Sequence, residues 1–199
     1  ETPPTETRRN NFANTYQRLH RKKPATTMVP GNNAFPVHPI LNRSLTPREA
    51  ARIQTFPDNH KFTGTRAQQC IQVGNAVPPL LAAKLGREIQ KHCKETTFKK
   101  IKNITHLERN SAFDKKVPKN GYTCVDLFSG IGGFSIGFEA SGFEVIVSCD
   151  NDEFVRESHK KNMPHIPFVF GDLSAEKTQN ALLDIISGRP VDVLVGGPP

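Results

Sequence analysis

The sequence predicts an α/β protein in which crossover helices link a parallel sheet, with only part of a doubly wound sheet present. Three observations carry this reading. From Tyr122 onward, short β-favouring apolar runs alternate with helix-forming segments, the mark of βαβ units. A glycine-rich turn, Gly130-Ile131-Gly132-Gly133, follows the first of these runs directly. Upstream, one helix start carries a capping signature and another a double proline, so a helical block precedes the alternating part.

In chain order, residues 1–44 are rich in Pro, Asn, Thr and Arg, show little periodicity and read as loop or edge structure. Residues 45–92 hold two helices. Thr46-Pro47-Arg48-Glu49 starts the first, with Thr as N-cap, Pro at the first helical position and Glu three residues after the cap. Ala50 and Ile53 form its apolar side, and Pro57 ends it. The second starts near Pro78-Pro79 and carries Leu81, Leu85 and Ile89 four residues apart, which predicts one buried stripe. Residues 93–120 contain eight Lys and Arg without a period and read as a basic linker, with a short helix around 104–109. Strands over 123–128, 144–149, 166–170 and 191–195 then alternate with helices over 133–141, 152–162 and 174–186, the last closed by Gly188.

Charge divides the chain. Residues 1–120 hold 22 Lys and Arg against 8 Asp and Glu, whereas residues 121–199 hold 5 against 11. The first part therefore presents a surface suited to a polyanion. Apolar runs fall short of a membrane span, and ETPPTETRRNN lacks a signal-peptide core, so the expectation is a cytoplasmic, non-membrane protein. The four cysteines, Cys70, Cys93, Cys124 and Cys149, have no CxxC spacing; two fall in strands, which predicts reduced buried thiols rather than a metal site.

The chemistry concentrates at strand ends. Glycines after the first strand allow close backbone approach to a ligand, and the following helix offers N–H groups to an anion. Asp150 ends the second strand twenty residues after Gly130, where a carboxylate grips a ribose hydroxyl pair; capping of the next helix is the structural alternative. Gly171-Asp172-Leu173 sets another carboxylate after the third strand. Together these predict an adenosine-containing cofactor, with NAD and S-adenosyl-L-methionine both open. Ser135, where a third dinucleotide-type glycine would stand, weighs against NAD.

DLFSGIGGFSIGFE, CDND, GDLS and LVGGPP, in that order, resemble the first four motifs of the DNA (cytosine-5) methyltransferases. LTPREAARIQTFPD and QVGNAVPPLL resemble the last two, and QRLHRKKPATTMVPGNNAFPVHPILNR is similar to the approach to them. The family usually closes on GNAVPP; here that motif comes first, the order of a circular permutant. The resemblance implies a Rossmann-like S-adenosylmethionine-dependent methyltransferase fold with part of the sheet present. It divides the chain into the end of a target-recognition region and a return segment (1–44), closing helical motifs packed on the catalytic domain (45–92), a basic linker (93–120) and the first half of the cofactor-binding domain (121–199).

By the same resemblance, Phe128, Ser129, Gly130 and Gly132 line the S-adenosylmethionine site, with Asn75 and Val77 at its amino-acid end. Asp150 takes the ribose hydroxyls and Asp172 the adenine amino group. Asn151 stands where the family often has a bulky apolar residue, which shifts adenine packing toward Leu173. Arg48, Glu49, Arg52 and Gln54 belong to a motif whose implied role is structural.

The family's nucleophile is a cysteine directly after the GGPP turn, so the resemblance places it just beyond Pro199, flanked by Pro198 and Pro199. None of the chain's own cysteines matches that position. The implied partners are double-stranded DNA and a segment or second chain carrying the remaining motifs. The implied setting is a bacterial restriction-modification system. These 199 residues alone are expected to be inactive; a non-catalytic cofactor-binding or regulatory subunit on the same scaffold is the alternative, and a nicotinamide-dependent oxidoreductase fits only if residues 1–92 are ignored.

Overall fold

In the computed structural model, residues 17–29, 35–94 and 118–198 are described. The upstream block holds three helices, α1 (Pro47–Ile53), α2 (Arg66–Asn75) and α3 (Pro79–Lys94). The alternating part runs β1 (Thr123–Leu127), α4 (Gly133–Glu139), β2 (Glu144–Asp150), α5 (Glu153–Asn162), β3 (Phe168–Phe170), α6 (Glu176–Ile186) and β4 (Val193–Gly196). The strands form one parallel sheet in the order β3-β2-β1-β4. That order is one half of a doubly wound sheet. The helix expected around 104–109 lies outside the described residues.

Two expectations are corrected. The upstream block has three helices rather than two, because α2 starts from a capping box: Thr65 Oγ1 accepts from Gln68 N while Gln68 Oε1 accepts from Thr65 N at 2.7 Å. Its buried residues are Cys70, Gln72 and Val73, so no apolar stripe announces it. The stripe expected from Leu81 and Leu85 is also wrong, since these are 50% and 44% exposed. The buried side of α3 is instead small: Pro79, Ala82, Ala83 and Gly86. Only Ile89 of the expected three packs on the core.

Close helix contact explains that choice. α3 packs mainly against α4. A Cβ at Gly137 would stand 2.5 Å from Pro79 O and 2.6 Å from Ala83 N, and would also collide with the Ala82 side chain. Leucines on this face would hold the helices apart. α1 begins as expected: Thr46 Oγ1 accepts from Glu49 N, and Glu49 Oε2 accepts from Thr46 N at 2.8 Å. It stops before Pro57, at Gln54, followed by Thr55 in the left-handed region at φ 65°.

A polar seam joins the two blocks. Thr63 N donates to Ser158 Oγ at 3.1 Å and Thr63 Oγ1 to Phe154 O at 2.7 Å, while Ser158 Oγ donates to Gln72 Oε1 at 2.9 Å. Asn162 brackets Lys61, accepting from its N–H and donating to its carbonyl, each at 2.7 Å. Being buried and mutually satisfied, Thr63, Gln72 and Ser158 fix the register of residues 60–72 on α5.

Candidate cofactor site

All four strands end at one edge. Leu127 pairs with Cys149 and Gly196, and Asp150 with Phe170, so the turns after β1, β2, β3 and β4 sit side by side. This edge holds Phe128, Asp150, Asp172 and Pro198; Pro199 lies outside the described residues.

The turn after β1 coils back on the sheet. Ser129 N donates to Cys149 O and Gly132 N to Ser129 O, each at 2.9 Å. Phe128, Gly130 and Gly132 all have left-handed backbones, at φ 52°, 52° and 82°. For Phe128 that conformation is strained, and the ring is 40% exposed at the edge. A side chain at Gly130 would meet nothing within 4 Å, so the backbone there faces open space.

Asp150 ties the first two turns together. Its Oδ2 accepts from Gly130 N at 2.9 Å and its Oδ1 from Asp152 N at 3.0 Å, leaving further lone pairs on both oxygens. Capping of α5 falls to Asp152, whose Oδ1 accepts from Phe154 N and Val155 N. Asp172 is exposed after β3, and the Ser174 N–H holds its carboxyl below the usual range. Leu173 is half-buried against the core, whereas Asn151 is exposed.

The upstream block reaches the same place. Gly133 touches the Val77 backbone so closely that an added Cβ would overlap Val77 O. Gln54 Nε2 donates to Val73 O and Ala76 O, both at 3.2 Å, and Thr55 Oγ1 accepts from Leu80 N at 3.1 Å. The Asn75–Val77 turn is thereby clamped from α1, with Asn75 exposed at the end of α2. Of the same motif, Arg48 donates to Pro57 O and His60 O, Glu49 pairs with Arg43 at 2.8 Å, and Arg52 pairs with Asp58 at 2.9 Å.

Sequence reasoning missed Asp126. It sits in β1, fully buried, and its Oδ2 accepts from Ser135 N at 3.0 Å and from Ser135 Oγ at 2.6 Å. Gly132, the N-cap of α4, has no side chain, so a carboxylate from the sheet caps the helix in its place. One helix N–H expected to face an anion is therefore already taken. Burial pushes this carboxyl up to about 7. A charged residue inside an otherwise apolar parallel strand was the available signal.

The residues fit an adenosine-type cofactor. The Gly130 backbone is open, Asp150 has spare acceptor capacity, and the buried Ser129 Oγ has no hydrogen-bond partner among the described residues. No described group of His, Cys, Asp and Glu is arranged to hold a metal ion. Burial raises the thiols of Cys70, Cys124 and Cys149, the last to about 11. Such thiols are poor nucleophiles.

A half-sheet in this order, with a glycine turn after the first strand and carboxylates after the second and third, defines the Rossmann-like class of S-adenosylmethionine-dependent methyltransferases, here in part. Within that class the chain belongs to the C-5 cytosine-specific DNA methylase family, whose sequence model matches residues 4–91 and 122–199. Similar proteins include type II methyltransferase M.AgeI of Thalassovita gelatinovora, 43% identical over 82 residues, which are 40% of this chain and 19% of that protein. DNA (cytosine-5)-methyltransferase PliMCI of Paracentrotus lividus is 39% identical over 111 residues, 53% of this chain and 7% of that protein. Type II methyltransferase M.AquIB of Picosynechococcus is 40% identical over 89 residues, 39% of this chain and 64% of that protein. The chain thus spans less than two thirds of each of these relatives. No helix among the described residues is long and apolar enough to cross a membrane.

Proposed function

We propose that this chain is the cofactor-binding part of a DNA (cytosine-5) methyltransferase that transfers a methyl group from S-adenosyl-L-methionine to C5 of cytosine in double-stranded DNA. The observation that carries the reading is the contact of Val77 with Gly133, which brings the GNAVPP turn against the DLFSGIGG turn at the strand-end edge. Phe128, Ser129, Gly130 and Gly132 then line the cofactor, Asp150 accepts from its ribose hydroxyls, and Asp172 accepts from its adenine amino group. Leu173 and Asn151 flank the adenine; Asn75 and Val77 hold the amino-acid end. S-adenosylmethionine supplies an electrophilic methyl group. Cytosine C5 becomes reactive only when a thiolate adds at C6, and the base must first leave the duplex stack. Gly197 and Pro198 follow Gly196, which pairs with Leu127 at the end of β1, so a cysteine directly after Pro199 would stand near the same edge.

On this reading residues 1–44 return from a target-recognition region, 45–92 close the fold, 93–120 link, and 121–199 begin the catalytic domain, in permuted order. Incomplete cover supports a further segment or second chain: among the described residues β4 is an edge strand, and Leu194 on it is 64% exposed. A bacterial restriction-modification enzyme in the cytoplasm is the setting these features fit. The second reading is a non-catalytic cofactor-binding subunit, since none of Cys70, Cys93, Cys124 and Cys149 follows the GGPP turn.

Calorimetry with S-adenosylmethionine and with NAD tests the cofactor; binding of NAD alone would sink the proposal. Duplex DNA containing 5-fluorocytosine tests the chemistry. The 199-residue chain should form no covalent adduct, whereas an assembly that includes a cysteine after Pro199 should form one. Failure of that assembly to do so selects the non-catalytic reading.

A further inference from the structure

Where residues 46–69 meet α4 and α5, two cavities of about 440 and 410 Å³ share Lys61 and Lys161 in their walls. Arg48 lines the second. Neither wall contains a carboxylate, and neither includes a residue of the candidate cofactor site. We propose that this groove binds a phosphate-bearing anion held jointly by Lys61 and Lys161.

The other cations of α5 are already paired. Arg156 meets Glu153 at 2.9 Å and Lys160 meets Glu157 at 3.2 Å, while Lys61 and Lys161 make no ion pair among the described residues. The wall is also held in shape before any ligand arrives. Asn162 fixes Lys61 through both its N–H and its carbonyl. Arg48 donates to the carbonyls of Pro57 and His60, and its guanidinium lies 4.8 Å from the centre of the Phe62 ring. Buried His60 is kept neutral by burial and by Arg48, so it adds no charge near neutral pH. Asn59 and Gln69 line the cavities with amides. Two exposed ammonium groups in walls without a carboxylate call for several negative charges on one compact group, which a phosphate supplies and a single carboxylate does not.

The test uses the full chain and sodium triphosphate at low ionic strength, read by calorimetry. The double substitution K61Q/K161Q should weaken binding by about tenfold or more, the scale expected for two surface charges. K22Q/K23Q, which removes two exposed lysines elsewhere, should leave it within about twofold. Both Lys61 and Lys161 are exposed, so the thermal midpoint without anion should not change. Displacement of triphosphate by a short DNA duplex identifies a nucleic-acid backbone as the source of phosphate; triphosphate that binds but is not displaced identifies a free polyphosphate. Absence of triphosphate binding, equal losses in the two double variants, or equal competition by polyglutamate would each overturn the site.

Discussion

Gln54 and Ala76 are joined by a hydrogen bond of 3.2 Å that runs from the α1 side chain to the carbonyl before the Val77-Pro78 turn, and the same amide also reaches Val73 O. One side chain thus fixes the position of a turn 22 residues away. Gln54→Ala leaves two carbonyls without that donor and should cost about 1–3 kcal/mol in denaturant unfolding. S-adenosylmethionine affinity should fall with it, because the turn would lose its seat against Gly133. Unchanged affinity at reduced stability would separate the clamp from the site.

Gly137 is where α3 and α4 come closest. Gly137→Ala inserts a methyl between backbone atoms that cannot yield, and should destabilise the chain by about 3 kcal/mol, the upper part of the overpacking range. Thermal unfolding of this variant beside Gly121→Ala checks the claim. Gly121 has open space but φ 86°, so its loss reports backbone strain alone.

Stability should rise with pH up to about 7 and then level off. Asp126 carries a folded value of about 7 against an ordinary value of 3.8, so the native state holds its proton more tightly. Stability from this group is full below the ordinary value and is lost as pH rises toward 7. Buried His60 and His159 are lowered to about 3 and 4, chiefly by burial. For them the unfolded chain binds protons more readily, so stability is lost as pH falls below 6.5. Two histidines outweigh one carboxyl up to about pH 6.5, and the opposed slopes cancel only near pH 7 by proton linkage. Urea titrations from pH 5 to pH 8 should show the rise and the plateau, and Asp126→Asn should steepen the rise below pH 7.

Glu49 should matter at the acid end. The Arg43 guanidinium, with the Thr46 N–H, holds its carboxyl at about 2. Its contribution is present above 4.5 and disappears as pH falls toward 2, with a size kept small by the solvent reaching both partners. Glu49→Gln should therefore unfold at higher pH than the parent in an acid titration, by a few tenths of a unit at most.

Much of the sheet was legible because parallel strands covered on both faces read as plain apolar runs, and the last helix between them has its own glycine stop, Gly188. The strand-end carboxylates Asp150 and Asp172 were legible for the same reason, as charges that interrupt apolar runs. α2 was not, since three glutamines and a glycine hide its periodicity while its buried face is held by hydrogen bonds to Thr63 and Ser158. The Leu81 and Leu85 stripe misled because four-residue spacing marks a face without saying whether it is covered. The covered face of α3 is written in Ala and Gly, which signal close approach rather than hydrophobicity. Asp126 lay inside a quoted motif, yet its partner nine residues on appears only when the chain folds back.

The capping of α4 by Asp126 bears on the order in which the molecule assembles. At seven residues and with glycine at its own N-cap, α4 is too short and too poorly started to persist in an unfolded chain. Its cap arrives only when β1 lies beneath it, and its close-packed partner α3 only when the distant upstream block docks. Helix and strand must therefore form together, so the glycine turn that α4 anchors should be among the last parts of the chain to acquire native rigidity and the first to lose it.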